Sequence, residues 1–121
     1  MAATRKKDAG HTFSDYFKRA LNPLIVLALL EDRPKYAYEM TAELKERSDG
    51  LYTMPLLYPV LYRLEEKGYV CIAETVVSAE NRTRNYYRIT QTGRDYLAEK
   101  RTEYLVLQRI ADDFLGIEKD E

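Results

Sequence analysis

The stretch Leu56–Tyr69, LLYPVLYRLEEKGY, constrains the fold most, because it is answered soon afterwards by Arg82–Thr90, RTRNYYRIT. At about 100° per residue, Leu57, Val60, Leu61 and Leu64 fall on one side of a helix. Pro59, Tyr62, Arg63 and Glu66 fall on the other. Thr53 is placed to cap this helix through its hydroxyl, with Pro55 in the first turn, where proline sacrifices no hydrogen bond. Gly68 suits its end, since glycine takes the left-handed conformation that terminates helices. Cys71–Val77 and Asn85–Ile89 are rich in β-branched and aromatic residues and read as two strands across the polar turn Ser78–Arg84.

A helix followed closely by a β-hairpin is the layout of a winged helix, a DNA-reading module. By itself the periodicity favours an ordinary amphipathic helix with exposed tyrosines; the DNA-reading interpretation rests on the hairpin behind it together with the family resemblance given below. The rest of the chain supplies the other helices. Ser14–Leu21 reads as a short helix with Phe13, Phe17 and Leu21 at helical spacing. Asn22-Pro23 fits a restart, with Asn as cap and Pro at the first position, and Leu24–Leu30 continues as a buried helix up to Asp32-Arg33-Pro34. Tyr36–Ser48 forms the next helix, with Ala37, Met40 and Leu44 inward and Asp49-Gly50 breaking it. Thr90 caps a last helix from Gln91 to about Leu115. The expected organisation is a disordered leader at 1–12, a winged-helix domain with its N-terminal helix at 13–90, and a C-terminal dimerisation helix with an acidic tail at 91–121. The fold class is mainly α with a small β-hairpin.

With 121 residues and 45% hydrophobic content, a single modest core is expected. The longest apolar run, Leu24–Leu30, is too short to span a bilayer, and no secretory signal follows Arg5, Lys6 and Lys7. Cys71 is the single cysteine, which excludes an internal disulfide and suits the cytoplasm. His11 stands alone, so no zinc constellation exists. Neither a Gly-rich phosphate loop nor a nucleophile elbow is present, and Glu43–Arg47 has the spacing of a solvated helix pair. No enzyme, cofactor or metal is therefore expected. The net charge of −1 means that any basic surface must be local. It is: Arg82, Arg84, Arg88 and Arg94 occur in a stretch without an acid.

The wording of the chain resembles the PadR family of bacterial transcriptional regulators, of the type with a short C-terminal region. LALLEDRPKYAYEMTAELKERSDG is similar to that family's first core helices. LLYPVLYRLEEKGYV is similar to its recognition helix, and NRTRNYYRITQTGRDYL to the wing's return strand and the start of the dimerisation helix. The sequence differs from the family pattern in having Ala37-Tyr38 for a frequent Gly-Tyr, Leu56 for a small hydroxyl residue, and Asn81-Arg82-Thr83-Arg84 for a frequent Gly-Arg-Pro wing tip. The resemblance implies a dimeric repressor that binds a double-stranded DNA operator and releases it on binding a small molecule. Some family members sense phenolic acids, and others hold flat lipophilic compounds between their terminal helices.

Residues and resemblance together give a candidate DNA-facing set of Tyr38, Thr53, Tyr58, Pro59, Tyr62 and Arg63, with Arg82 and Arg84 on the wing. Along the last helix, Leu97, Tyr104 and Ala111 recur at seven-residue spacing, as do Lys100, Leu107 and Phe114. This stripe suits a partner subunit in a homodimer, or else folding back on the N-terminal helix. A small aromatic effector is expected among Phe13, Tyr16, Phe17, Tyr104, Leu107 and Phe114. The alternative function is a winged-helix protein-interaction module without DNA binding, suggested by the acidic balance and by Leu56 on the reading helix.

Overall fold

The computed structural model describes residues 12–118. Its elements are α1 (Phe13–Leu29), α2 (Ala37–Arg47), α3 (Leu57–Glu66), β1 (Val70–Val77), β2 (Thr83–Ile89) and α4 (Gln91–Leu115). This is the expected order: three helices, an antiparallel hairpin, and a long last helix. The leader before Thr12, including His11, and the last three residues of the acidic tail lie outside the described residues.

The N-terminal region departs from expectation. α1 is one continuous helix that runs through Pro23, without the restart at Asn22. Its start is fixed by Thr12, whose hydroxyl accepts the Asp15 amide at 3.1 Å while the Asp15 carboxylate accepts the Thr12 amide. An interior proline costs a helix about 3 kcal/mol. Val26 and Leu27 on the same helix are completely buried, and each such side chain recovers about 1.5–3 kcal/mol. The Asn22 side chain does not turn back to cap a new helix. It accepts a 2.6 Å hydrogen bond from the Tyr52 hydroxyl, which pins α1 to the loop before α3.

The core gathers Val26, Leu27 and Leu30 from the end of α1, Met40 from α2, and Leu57, Leu61 and Leu64 from α3. Met54, Val70, Tyr87, Ile89 and Leu97 complete it. Val60 and Leu44 pack at its edge, so the apolar face read from the α3 sequence is the face buried. The hairpin pairs Val70 with Ile89 and Val77 with Thr83, with an irregularity between Ile72 and Glu74. The sheet is extended by one bridge outside it. Lys35 exchanges both main-chain hydrogen bonds with Tyr87, at 3.0 and 2.9 Å.

Lys35 is also the one buried charged residue among those described. Its ammonium donates to the Leu29 carbonyl at 2.6 Å, to Glu43 at 2.8 Å, and contacts Asp32 at 3.0 Å. Glu43 in turn accepts from Arg47, the helix pair expected from spacing. Burial pulls the Lys35 pKa down, but hydrogen bonds and charge from Glu43 and Asp32 prevail and hold it above its ordinary value. The Lys35 hydrogen bond, with Arg47 assisting against burial, holds the Glu43 carboxyl below its ordinary value.

α4 begins against the α3–β1 turn. The Thr90 hydroxyl donates to the Gly68 carbonyl at 2.7 Å and accepts the Gly93 amide at 3.0 Å. Gly68 ends α3 in the left-handed region at φ +80°. Gly93 is needed for a different reason: a Cβ there would collide with the Tyr69 carbonyl oxygen and the Ile89 side chain. Farther along, Arg101 grips both carboxylate oxygens of Glu31, at 3.0 and 2.6 Å, at the foot of α1. Beyond that clasp, every residue of α4 from Thr102 to Ala111 is exposed. No described helix is long and apolar enough to cross a membrane.

Two outcomes test this account. Gly93→Ala should lower unfolding free energy by about 1–3 kcal/mol in urea titration through overpacking. Helix propensity alone favours alanine by about 1 kcal/mol, so a gain in stability would refute the close approach. The Lys35–Glu43 pair should give a pH plateau. The lowered Glu43 contributes stability above its ordinary value of 4.5, lost as pH falls through its folded pKa. The raised Lys35 contributes below its ordinary 10.5, lost as pH rises through its folded pKa. Lys35→Met should remove about 2 kcal/mol at neutral pH, because it orphans the Leu29 carbonyl and breaks a charged hydrogen bond. It should also flatten the acid limb of Tm against pH; an unchanged acid limb would refute the pairing.

Candidate nucleic-acid interface

The outward face of α3 carries Tyr58, Pro59, Tyr62 and Arg63, all exposed. The Tyr58 and Tyr62 rings lean on each other one helical turn apart, with centroids 5.9 Å apart. Their hydroxyls, with Glu65, lie close enough to the buried Tyr87 of β2 to influence it. Burial pushes the Tyr87 hydroxyl pKa up, an Asn85 hydrogen bond opposes this, and those three neighbours push it further.

Thr53 does not cap α3. The helix starts at Leu57, and the position before it is Leu56, which provides no side-chain cap. Met54 is buried in the core within an irregular stretch, and a turn at Pro55 and Leu56 follows it before the helix begins. Pro59 consequently occupies the third position of α3. It still loses nothing there, because first-turn amides have no partner within the helix. The first turn contains no acidic residue, which leaves the positive end of the helix open to anions.

Thr53 is exposed and lines two open grooves. One, of about 760 Å³, runs between α2 and the following loop and brings Thr53 together with Tyr38, Thr41 and Lys45. The other, of about 500 Å³, lies between α1 and α3 and brings Thr53 together with Pro59, Arg63 and Lys18. Arg63 forms an ion pair with neither Glu65 nor Glu66 among the described residues, so its charge is available outward. Those two acids lie on the C-terminal half of α3. A polyanion is therefore favoured at the N-terminal half.

The wing turn is closed by Ser78, whose amide donates to the Arg82 carbonyl at 2.8 Å and whose hydroxyl accepts the Arg82 amide at 3.2 Å. Asn81 sits at φ +67° and takes the left-handed position that a glycine would otherwise fill. Arg82 and Arg84 are not equivalent. Arg82 leaves the tip exposed, with no ion pair among the described residues. Arg84 is drawn back along β2, its guanidinium 4.5 Å from the centre of the Tyr36 ring.

Arg88 and Tyr36 lie beside these residues but outside the candidate set, although Arg88 belongs to the acid-free basic stretch. Alternation along β2 buries Tyr87 and Ile89, so Arg84, Tyr86 and Arg88 form a row on the opposite face. That period was sufficient to find Arg88. Tyr36 carries no such signal, because its role depends on the hairpin folding over it. Of the six residues expected to hold an effector, Phe13 and Phe17 stack at 5.9 Å on α1, and all six are exposed. No group of metal-ligating residues occurs among the described residues.

Comparison with known proteins agrees with this geometry. The family model described as "Transcriptional regulator PadR-like family" matches residues 26–99. A transcriptional regulator of Mycobacterium tuberculosis is 35% identical over 101 residues, covering 83% of this chain and 88% of that protein. A transcriptional regulator structure from Clostridium thermocellum superposes with TM-score 0.73 at 30% identity, covering 82% of this chain and 97% of that one. A PadR-family regulator structure from Eggerthella lenta shares the fold at TM-score 0.77 and 24% identity, over 93% of this chain and 96% of that one. With a reading helix, a basic wing and matches of this extent, the chain belongs to the PadR-like family of transcriptional regulators, which are DNA-binding proteins and not enzymes.

Proposed function

We propose that two copies of this chain form a sequence-specific repressor in the cytoplasm that holds a double-stranded operator through α3 and the wing. A small aromatic effector relieves the repression. The observation that carries the reading is the far half of α4. Leu105, Leu107 and Phe114 are 62%, 57% and 85% exposed there, and Tyr104, Val106 and Ile110 are exposed beside them. Nothing among the described residues covers these apolar side chains, and a second copy is the simplest burial. Phe13, Tyr16 and Phe17 offer a further aromatic surface on α1. A two-fold axis through these helices would set the separation of the two α3 helices and call for half-sites about one DNA turn apart. An aromatic effector among Phe13, Tyr16, Phe17, Tyr104, Leu107 and Phe114 would act through unequal affinity for DNA-fitting and non-fitting dimers.

On the DNA side, Tyr38, Thr53, Tyr58, Pro59, Tyr62 and Arg63 are the proposed contacts around α3, and Arg82 and Arg84 those of the wing. A second reading, a module that docks on protein instead of DNA, is supported by the acidic balance of the chain and by Leu56. Leu56 at the head of α3 is 67% exposed. An electrophoretic shift with the chain's own promoter across a salt series separates the two, because phosphate contacts impose a salt slope.

Arg82→Ala combined with Arg84→Ala should weaken binding to every duplex and lower the salt slope by about one unit per charge removed. If affinity and slope both stay put, the wing does not touch DNA. Truncation before Tyr104 should convert a sedimenting dimer into a monomer. A surviving dimer would place the seam elsewhere. A screen of planar aromatic compounds should then find some that alter DNA affinity of the full chain; a screen in which none does would remove the effector and leave the dimer standing.

A further inference from the structure

We propose that Tyr36 is a positioning residue for the DNA contact of the wing: its ring fixes the Arg84 guanidinium and so couples the start of α2 to the hairpin. The inference rests on the reading that Arg84 meets DNA. It concerns what holds that arginine before DNA arrives.

Three neighbours surround the Tyr36 ring. Arg84 lies over it at 4.5 Å, Tyr86 meets it edge-on at 5.2 Å, and Tyr38 stacks beside it at 6.4 Å. Arg84 and Tyr86 are two positions apart on β2 and share a face, so one ring engages both. The backbone under the ring is anchored on each side. Lys35, the preceding residue, is bonded to Tyr87 through both main-chain groups. The Tyr36 amide donates to the Glu39 carboxylate at 3.1 Å, and its carbonyl accepts the Met40 amide at 3.2 Å. Glu39 is itself paired with Arg33 at 3.4 Å, so its charge does not compete for Arg84.

The chemistry of the contact suits this role. A guanidinium stacked on an aromatic face is attracted through its flat side, while its N–H donors lie in the plane and point away from the ring. The Arg84 guanidinium makes no hydrogen bond or ion pair among the described residues, so the ring holds it while its donors remain free for a phosphate. Its rotamers are restricted in advance, so less entropy is lost when DNA binds. Arg82 has no such platform and must be ordered by DNA itself.

The test is a double-mutant cycle on the full-length chain, using a duplex selected from a random pool by the wild-type protein. Arg84→Ala should weaken binding and lower the salt slope by about one. Tyr36→Ala should weaken binding roughly three- to fivefold, as expected for a contact of this kind, and Tyr36→Phe should restore it. In the Arg84→Ala background, Tyr36→Ala should cost nothing further. An equal loss from Tyr36→Ala in both backgrounds would overturn the inference, since Tyr36 would then act independently of Arg84. If Arg84→Ala itself changes neither affinity nor slope, the wing contact fails and the inference falls with it. Tm is followed for each variant. If Tyr36→Ala unfolds the chain, Tyr36→Leu replaces it, because leucine keeps bulk and removes the π-face. An unchanged affinity for Tyr36→Leu would equally overturn the proposal.

Discussion

Lys35 holds three parts of the chain at one point. Its main chain pairs with Tyr87 of β2, and its ammonium reaches the last turn of α1 and Glu43 of α2. A lysine buried to this extent is tolerated only when its charge is met. Here a carbonyl and two carboxylates meet it. Because the partners come from different elements, the pair does more than offset its own desolvation: it fixes the hairpin relative to the helices. The wing would otherwise be a two-stranded ribbon, which is marginal in isolation.

From that anchor the parts proposed to face DNA follow. Tyr36 is next in sequence, so its ring is set where β2 passes. Tyr38 lies two residues further on, at the start of α2, and faces outward beside it. On the opposite side, Leu57, Leu61 and Leu64 commit α3 to the core, which leaves Tyr58, Tyr62 and Arg63 no alternative but solvent. The tyrosines divide accordingly. Tyr87 is packed inside, Tyr52 spends its hydroxyl on Asn22, Tyr69 and Tyr96 stack at 4.3 Å at the base of α4, and those of α3 stay outside. An amphipathic ring allows each of these placements, which is why tyrosine content alone says little about ligands.

α4 has two characters. Up to the Arg101–Glu31 clasp it belongs to the domain, through Gly93, Leu97 and Tyr96. Past the clasp it projects as a helix whose apolar side chains have no cover among the described residues. Helical stability normally comes from packing one face, which is why the proposed dimer seam is placed on this half of α4. The acidic Asp112 and Asp113 lie on this projecting end, away from the basic wing along the chain. This separation of charge explains how a chain of net charge −1 can still present a cationic surface.

The sequence by itself determined what depends on local pattern. The period of α3, its end at Gly68, the Thr90 start of α4 and the two strands were legible, since periodicity and caps act within a few residues. So was the family, and with it DNA binding. Tertiary structure decided whatever depended on a distant partner. Pro23 reads as a break, but burial of Val26 and Leu27 on a shared core keeps α1 whole. Thr53 reads as a cap, but α3 begins only at Leu57, past the buried Met54. The two wing arginines read as alike, but Tyr36, far away along the chain, takes one and leaves the other. Local signals fix which residues form a helix or strand. Where an element starts late, continues, or draws a side chain aside is set by contacts that no short window of sequence contains.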